Sequence, residues 1–382
     1  PLLKKWISKG QLRGTYLGKA LFTHRKKGVD LSSKSQVAMI FLGEECSTFP
    51  GDQSTWEKQL LEKIAADHYQ ENELILCWGD WQKRALESNN SKGKKVVCGH
   101  PRFDLARPEM DFLYADEKNN FKDDYILLVS SFQYFNAATI SKKIIDKKQT
   151  AWIDQGFRFL KFLKLASRLA TEFPEKMFIY RPHPSEKWQT YENFFEHYPN
   201  VSISEPTKPI RDLIHPASLI IGMGGTVSVE SLFANKQQIF YDVGEGPRRI
   251  WSGEHLDHVL DDELEIINAI KNGLEGKPAT RREDVLCDHL ENYKKEPFWS
   301  FEEVSKHVRH FSRSFEFGEN GFDYALPQTK LVKNRTANTL QKFGPDLNAD
   351  YIQSKLERIK NKTDRSFQLK QSHNKAFEIE AI

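Results

Sequence analysis

The chain reads as an α/β protein of two units, each built on a parallel sheet. Short apolar runs of strand length alternate with helix-periodic segments on both sides of residues 108–124, a pattern that builds parallel sheets through right-handed crossovers. Residues 108–124 are polar and acidic, ending in DEKNNFKDD, and read as a linker. The length, 382 residues, exceeds one typical core and suits two.

The first strands are residues 37–42 (VAMIFL), 73–78 (ELILCW) and 95–99 (KVVCG). Helical periodicity occupies 55–68, where Leu60, Leu61, Ile64 and Ala65 share a face, and 80–88. Residues 125–130 (YILLVS) open a second series. A long helix is expected over 152–173, with Phe159, Leu160, Leu163, Ala166, Leu169 and Ala170 as its stripe. Residues 177–180, 201–204, 219–222 and 238–242 are further strands, mostly with helices between. Residues 1–35 are basic and mixed, and read as surface helix and loop. The last hundred residues read as helical and charged, and beyond Phe322 as a peripheral helix and mobile tail. The expected division is 1–115, 116–320 and a tail 321–382. Because the chain opens on Pro1, a start upstream is expected.

Lys and Arg total 56 against 53 Asp and Glu, a net charge of +3. That balance argues against a dedicated nucleic-acid binder. No apolar run nears the ~20 residues of a membrane span, and no secretory signal is present. Cys46, Cys77, Cys98 and Cys287 are scattered without metal-ligand spacing, so neither a disulfide framework nor a metal site is expected, and a reducing cytosol is.

Chemistry concentrates at strand ends. Residues 177–186, MFIYRPHPSE, run from a strand into a turn stiffened by Pro182 and Pro184. Arg181, His183 and Ser185 follow the strand end, where open α/β sheets bind ligands. His183 can donate to a phosphate oxygen, Arg181 can add a bidentate contact, and Ser185 can cap a helix with Glu186 in its first turn. Residues 219–234, LIIGMGGTVSVESLFA, form a second junction. There Gly222, Gly224 and Gly225 make a turn, and Thr226 is placed to cap a helix whose amides favour an anion; an ordinary tight turn fits the glycines equally well. Glu230 can accept ribose hydroxyls, although an acid favoured by the helix dipole is the simpler reading.

In CGHPRFDL, residues 98–105, Arg102 and Asp104 are expected near the junction of the units or paired with each other. Glu44 and Glu45, after the strand VAMIFL, are placed for base or nucleophile work, with exposed loop carboxylates as the simpler reading. Asp242, Asp146 and Asp154 are lesser candidates.

GHPRFDL, RPHPSE and IHPASLIIGMGGTVSVESLFANKQQIFYD, in this order and spacing, together with CWGDWQKRAL, resemble bacterial surface-carbohydrate biosynthesis proteins. Those are glycosyltransferases of the GT-B type, with two Rossmann-like domains facing a cleft, here with a helical extension after them. The resemblance spans roughly residues 37–245. The His183-Pro184 dipeptide is similar to that of transferases using CMP-activated Kdo or sialic acid. The resemblance implies a nucleotide-sugar donor whose phosphate meets His183, Gly225, Thr226 and Ser228, with Glu230 at the ribose. It implies a glycan or lipid-linked glycan acceptor, no metal and no other cofactor. The expected place is the cytoplasm, with peripheral association to the inner membrane or a polysaccharide synthase complex left open. Two features depart from the family: its first strand and phosphate-facing loop are expected upstream of Pro1, and no motif singles out the catalytic carboxylate among Glu44, Glu45 and Asp104. A CDP-polyol phosphotransferase of the teichoic-acid type, a nucleotide-sugar epimerase and a non-catalytic synthase scaffold are the alternatives.

Overall fold

The computed structural model describes residues 13–18, 36–43, 53–64, 66–113, 124–132, 135–136, 149–205, 208–243, 258–274, 282–294, 299–314, 349–363, 367–373 and 376–381. The first unit comprises β1 (Arg13–Gly18), β2 (Gln36–Leu42), α1 (Gln53–Ile64), β3 (Glu73–Cys77), α2 (Asp80–Ser88), β4 (Lys94–Val97) and α3 (Pro101–Asp104). Its four strands are parallel in the order β1-β2-β3-β4. Alternate residues serve opposite cores, as the two-residue period of a strand requires. Met39, Phe41, Ile75 and Cys77 face one cluster, and Ile40, Leu74 and Leu76 face the other.

The second unit comprises β5 (Tyr125–Val129), α4 (Gln149–Glu172), β6 (Phe178–Arg181), α5 (Gln189–Phe195), β7 (Val201–Ile203), α6 (Arg211–Ile214), β8 (Ala217–Gly222), α7 (Thr226–Phe233), β9 (Gln237–Tyr241), β10 (His258–Leu260) and α8 (Glu263–Asn272). Its six parallel strands run β10-β9-β8-β5-β6-β7. The chain builds outward from β5 on one side, then returns to the other side of β5 for β8. This is the doubly wound order, with its switch between β5 and β8. Both faces of β5 are buried: Ile126 and Leu128 in one cluster, Tyr125 and Leu127 in the other. That explains why its sequence is a continuous apolar run. The expected fold class, two Rossmann-like α/β units with parallel sheets, is the one observed.

Several expectations change. Residues 13–18 form a strand rather than helix or loop, pairing in parallel with β2. Within the expected linker, Pro108–Leu113 is a 3-10 helix, and residues 114–123 lie outside the described residues. After the second sheet come α9 (Glu283–His289), α10 (Glu291–Lys294) and α11 (Ser300–Arg313). They lie in the segment assigned to the second domain, yet they pack on the first unit: Val285, Leu286 and Leu290 join one of its clusters and Val304 the other. In the tail, α12 (Ala349–Thr363) is the expected helix, and Arg358 Nη1 on it donates to the Leu113 carbonyl at 3.1 Å. The hairpin of β11 (Phe367–His373) and β12 (Ala376–Ala381) was not expected. No helix among the described residues is long and apolar enough to cross a membrane.

Candidate functional site

Three loops leave the second sheet at one level. Val129 is in register with Arg181 on one side and Gly222 on the other. With strands about 4.8 Å apart, the β6 and β8 exits flank β5 at about 10 Å separation. Phosphate groups with hydrogen-bonding partners on either side fit such a span.

The β8 exit is a glycine turn into α7. Gly224 and Gly225 have φ of 81° and 112°, in the region that favours glycine. A side chain added at Gly225 would meet nothing within 4 Å, so the space beside the helix start is open. The N-cap residue is Gly225, and no side chain caps the helix. Thr226 is therefore the first helical residue rather than the cap, and the positive end of α7 opens onto the exit level of β5. Ser228, two residues further into the helix, is buried, its amide bonded to the Gly225 carbonyl at 3.2 Å.

The β6 exit is organised by a residue the sequence reading placed elsewhere. Glu186 is buried, and α5 starts only at Gln189. Its Oε1 accepts from the amides of His183 and Phe132, both at 2.9 Å, and from the Ser130 hydroxyl at 3.2 Å. Its Oε2 accepts from the Tyr191 hydroxyl. One carboxylate thus ties the β5 exit to the β6 exit. Burial raises its pKa against the pull of these donors. A strand-end acid after His-Pro-Ser was the available signal, but helix capping was the more local explanation.

His183 Nδ1 accepts the Ser185 amide at 3.2 Å. The neutral imidazole then carries its proton on Nε2, which makes Nε2 a donor. Ser185 is exposed and shapes this turn with its amide rather than capping a helix. Arg181 departs from its expected phosphate contact. Its buried guanidinium donates to the Lys208 carbonyl at 2.8 Å, to the Glu205 carbonyl and to Ser204 Oγ at 3.4 Å. Burial lowers its pKa to about 10. It holds the loop between β7 and α6.

The first unit repeats the His-Pro device. His100 caps α3, its Nδ1 accepting the Arg102 amide at 3.1 Å. Burial, then repulsion from Arg102 and Arg211, lowers its pKa to about 3 from an ordinary 6.5. The folded chain therefore holds His100 neutral where the unfolded chain binds a proton. Its contribution to stability is fully present above pH ~6.5 and is lost as pH falls from there toward 3, at up to about 1.4 kcal/mol per pH unit. Unfolding midpoints measured from pH 7 to 5 should fall less steeply in His100→Asn than in the wild type; equal slopes would exclude this histidine as the source.

Arg102 does not pair with Asp104. It crosses to the second unit, where its Nε meets Glu230 Oε1 at 2.6 Å, and Arg211 Nη2 reaches the same oxygen at 3.1 Å. Glu230 is fully buried, so it joins the units instead of facing an open ribose site. The same helix sends Val229, Leu232 and Phe233 into the core of the first unit, with Phe233 stacked on Phe103 at 5.5 Å. Asp104 is also fully buried, with Oδ1 accepting from Asn292 Nδ2 at 2.6 Å and Oδ2 from the Phe301 amide at 2.9 Å. It holds α10 and α11 on the first unit, and these bonds occupy both of its oxygens. Glu44 and Glu45 lie outside the described residues. No cluster of metal-binding side chains occurs among the described residues.

No family model matches the chain, and no curated protein matches its sequence. Among solved structures, the chain is similar to Methanocaldococcus jannaschii UDP-GlcNAc 2-epimerase in complex with UDP-GlcNAc and UDP. The identity is 17%, over 81% of this chain and 79% of that one, with a TM-score of 0.48. The wall teichoic acid polymerase TagF is 11% identical over 75% and 71%, with a TM-score of 0.42. Anabaena HepE in complex with UDP-glucose is 13% identical over 82% of both, with a TM-score of 0.43. Identities and scores are low, so the fold rests on the strand order described above.

Proposed function

We propose that this protein is a GT-B-type glycosyltransferase that moves a sugar from a nucleotide-activated donor to a growing bacterial surface glycan. The observation that carries this reading is the placement of the His183 turn and the glycine-led start of α7 on either side of β5, at the switch of a doubly wound sheet. Switch points at strand carboxyl ends are where such sheets bind nucleotides. The amides and dipole of α7 stabilise the charge that grows on the departing phosphate, and His183 Nε2–H adds a directed donor. A carboxylate from the first unit, Glu44 or Glu45, activates the acceptor hydroxyl or attacks the anomeric carbon. The donor is a CMP-linked acidic sugar of the Kdo kind and the acceptor a polysaccharide or lipopolysaccharide.

Calorimetric titration with CMP, CDP, UDP and GDP tests the site. His183→Ala should weaken the preferred nucleotide roughly 10- to 100-fold, the loss of a hydrogen bond to a charged group. Unchanged affinity would sink the assignment of His183. Donor hydrolysis with CMP-, CDP-, UDP- and GDP-linked substrates separates sugar transfer from polyol-phosphate transfer. Binding without turnover of any of them points to a scaffold.

A further inference from the structure

Helix α4 carries an apolar stripe that no part of the described protein covers. Ile153, Phe157 and Leu160 are 58%, 50% and 63% exposed. At spacings of four and three residues they share one face, while Phe159, Phe162, Leu163 and Ala166 on the opposite face fill the core. Soluble surfaces seldom line up large apolar side chains in this way.

The surroundings of the stripe are basic. The Lys161 ammonium lies 4.8 Å from the centre of the Phe157 ring. One turn on, Lys164 and Arg168 share a single acid, Glu263, at 3.1 and 3.2 Å, and Asp154 is matched by Arg158 at 3.2 Å.

We infer that this face of α4 docks on an anionic membrane surface. Apolar side chains entering the headgroup boundary, flanked by lysines that attract acidic lipids, are the elements of interfacial binding. The size of the stripe favours a bilayer over a protein. Three partly exposed side chains offer on the order of 300 Å² of apolar surface, well short of the ~800 Å² per partner in a stable protein interface. A membrane accepts a small wedge because the lysines add to it. The geometry also has a use. Ile153 and Phe157 lie in the first turns of the helix that follows the β5 exit, so docking would hold the strand-end loops close to lipid-linked molecules. The inference stands apart from the donor reading, since it concerns vesicles rather than nucleotides.

Co-sedimentation of the full chain with vesicles tests it. Binding is expected to vesicles containing phosphatidylglycerol, weaker to phosphatidylcholine alone, and to fall as salt rises. The triple variant Ile153→Ser, Phe157→Ser, Leu160→Ser should lose that binding while keeping the wild-type unfolding midpoint and nucleotide affinity. Should the triple variant unfold, Lys161→Ala with Lys164→Ala carries the test, with an expected loss of roughly fivefold per lysine. Wild-type protein that ignores acidic vesicles, or variants that bind as well as wild type, would overturn the inference. Sedimentation equilibrium showing a dimer that the triple variant abolishes, without vesicle binding, would overturn it in favour of a second copy of the chain.

Discussion

Gly99→Ala is expected to release the helices that return to the first unit. Gly99 has a φ of +69°, and a Cβ there would lie 1.9 Å from Asn292 Oδ1 and 2.6 Å from its Cγ. Asn292 cannot yield cheaply. It is buried, its Oδ1 accepts the His100 amide at 2.9 Å, and its Nδ2 donates to the His100 carbonyl at 3.1 Å and to Asp104 at 2.6 Å. The backbone carbonyl of Asn292 also receives Arg107 Nη2 at 2.6 Å. The left-handed backbone costs about 1 kcal/mol for alanine, and each buried polar group orphaned when Asn292 moves costs about 1–3 kcal/mol. The total, on the order of 4 kcal/mol or more, is a large part of a typical 5–15 kcal/mol fold stability. Thermal unfolding should show a midpoint lower by several degrees, and limited proteolysis should cut within residues 283–313 first. A midpoint within experimental error of wild type, with α9 to α11 still protected, would refute this account.

The second large effect is expected at Glu186. Glu186→Ala leaves the part-buried amide of His183, the buried amide of Phe132 and the hydroxyl of Tyr191 without this acceptor. At about 1–3 kcal/mol for each, the loss is again several kcal/mol. The same change frees the His183 turn from the β5 exit, so nucleotide affinity should fall even at temperatures where the variant stays folded. Glu186→Gln provides the control. Its carbonyl oxygen can keep both amides, and its NH₂ can donate to Tyr191, whose hydroxyl then accepts. Near-normal stability and affinity in the glutamine variant, against losses in the alanine variant, would show that acceptor geometry matters rather than charge. If the alanine variant keeps wild-type affinity, Glu186 does not position the turn.

Much of this molecule could be read from its residues. Apolar runs such as YILLV and IIG are strands because both faces of the second sheet are covered, and a buried parallel strand has no polar side to interrupt it. Asp80–Ser88 was legible as a helix from its periodicity. The His-Pro turns were visible because proline and histidine at a strand end are constrained locally. β1 was not: it is a short edge strand between basic flanks, and its identity depends on β2 beside it.

Side-chain roles divided along the same line. Local chemistry marked His183, Gly224 and Gly225 for the strand-end loops, and the sheet places them there. Local chemistry also marked Arg181, and the resemblance marked Glu230 and Asp104, as ligand-facing or catalytic, and for these the outcome depended on groups far along the chain: Lys208 for Arg181, Arg102 for Glu230, Asn292 for Asp104. A charged side chain can be buried only where another segment supplies its partner, and no spacing within a few residues encodes that partner. Periodicity and turn chemistry, which act between neighbours, thus determined the α/β class, the succession of strands and the loops at their ends. Burial and long-range pairing, which act only once the chain has closed on itself, decided that α7 joins the two units, that the helices after the second sheet complete the first, and which candidates remain for a ligand.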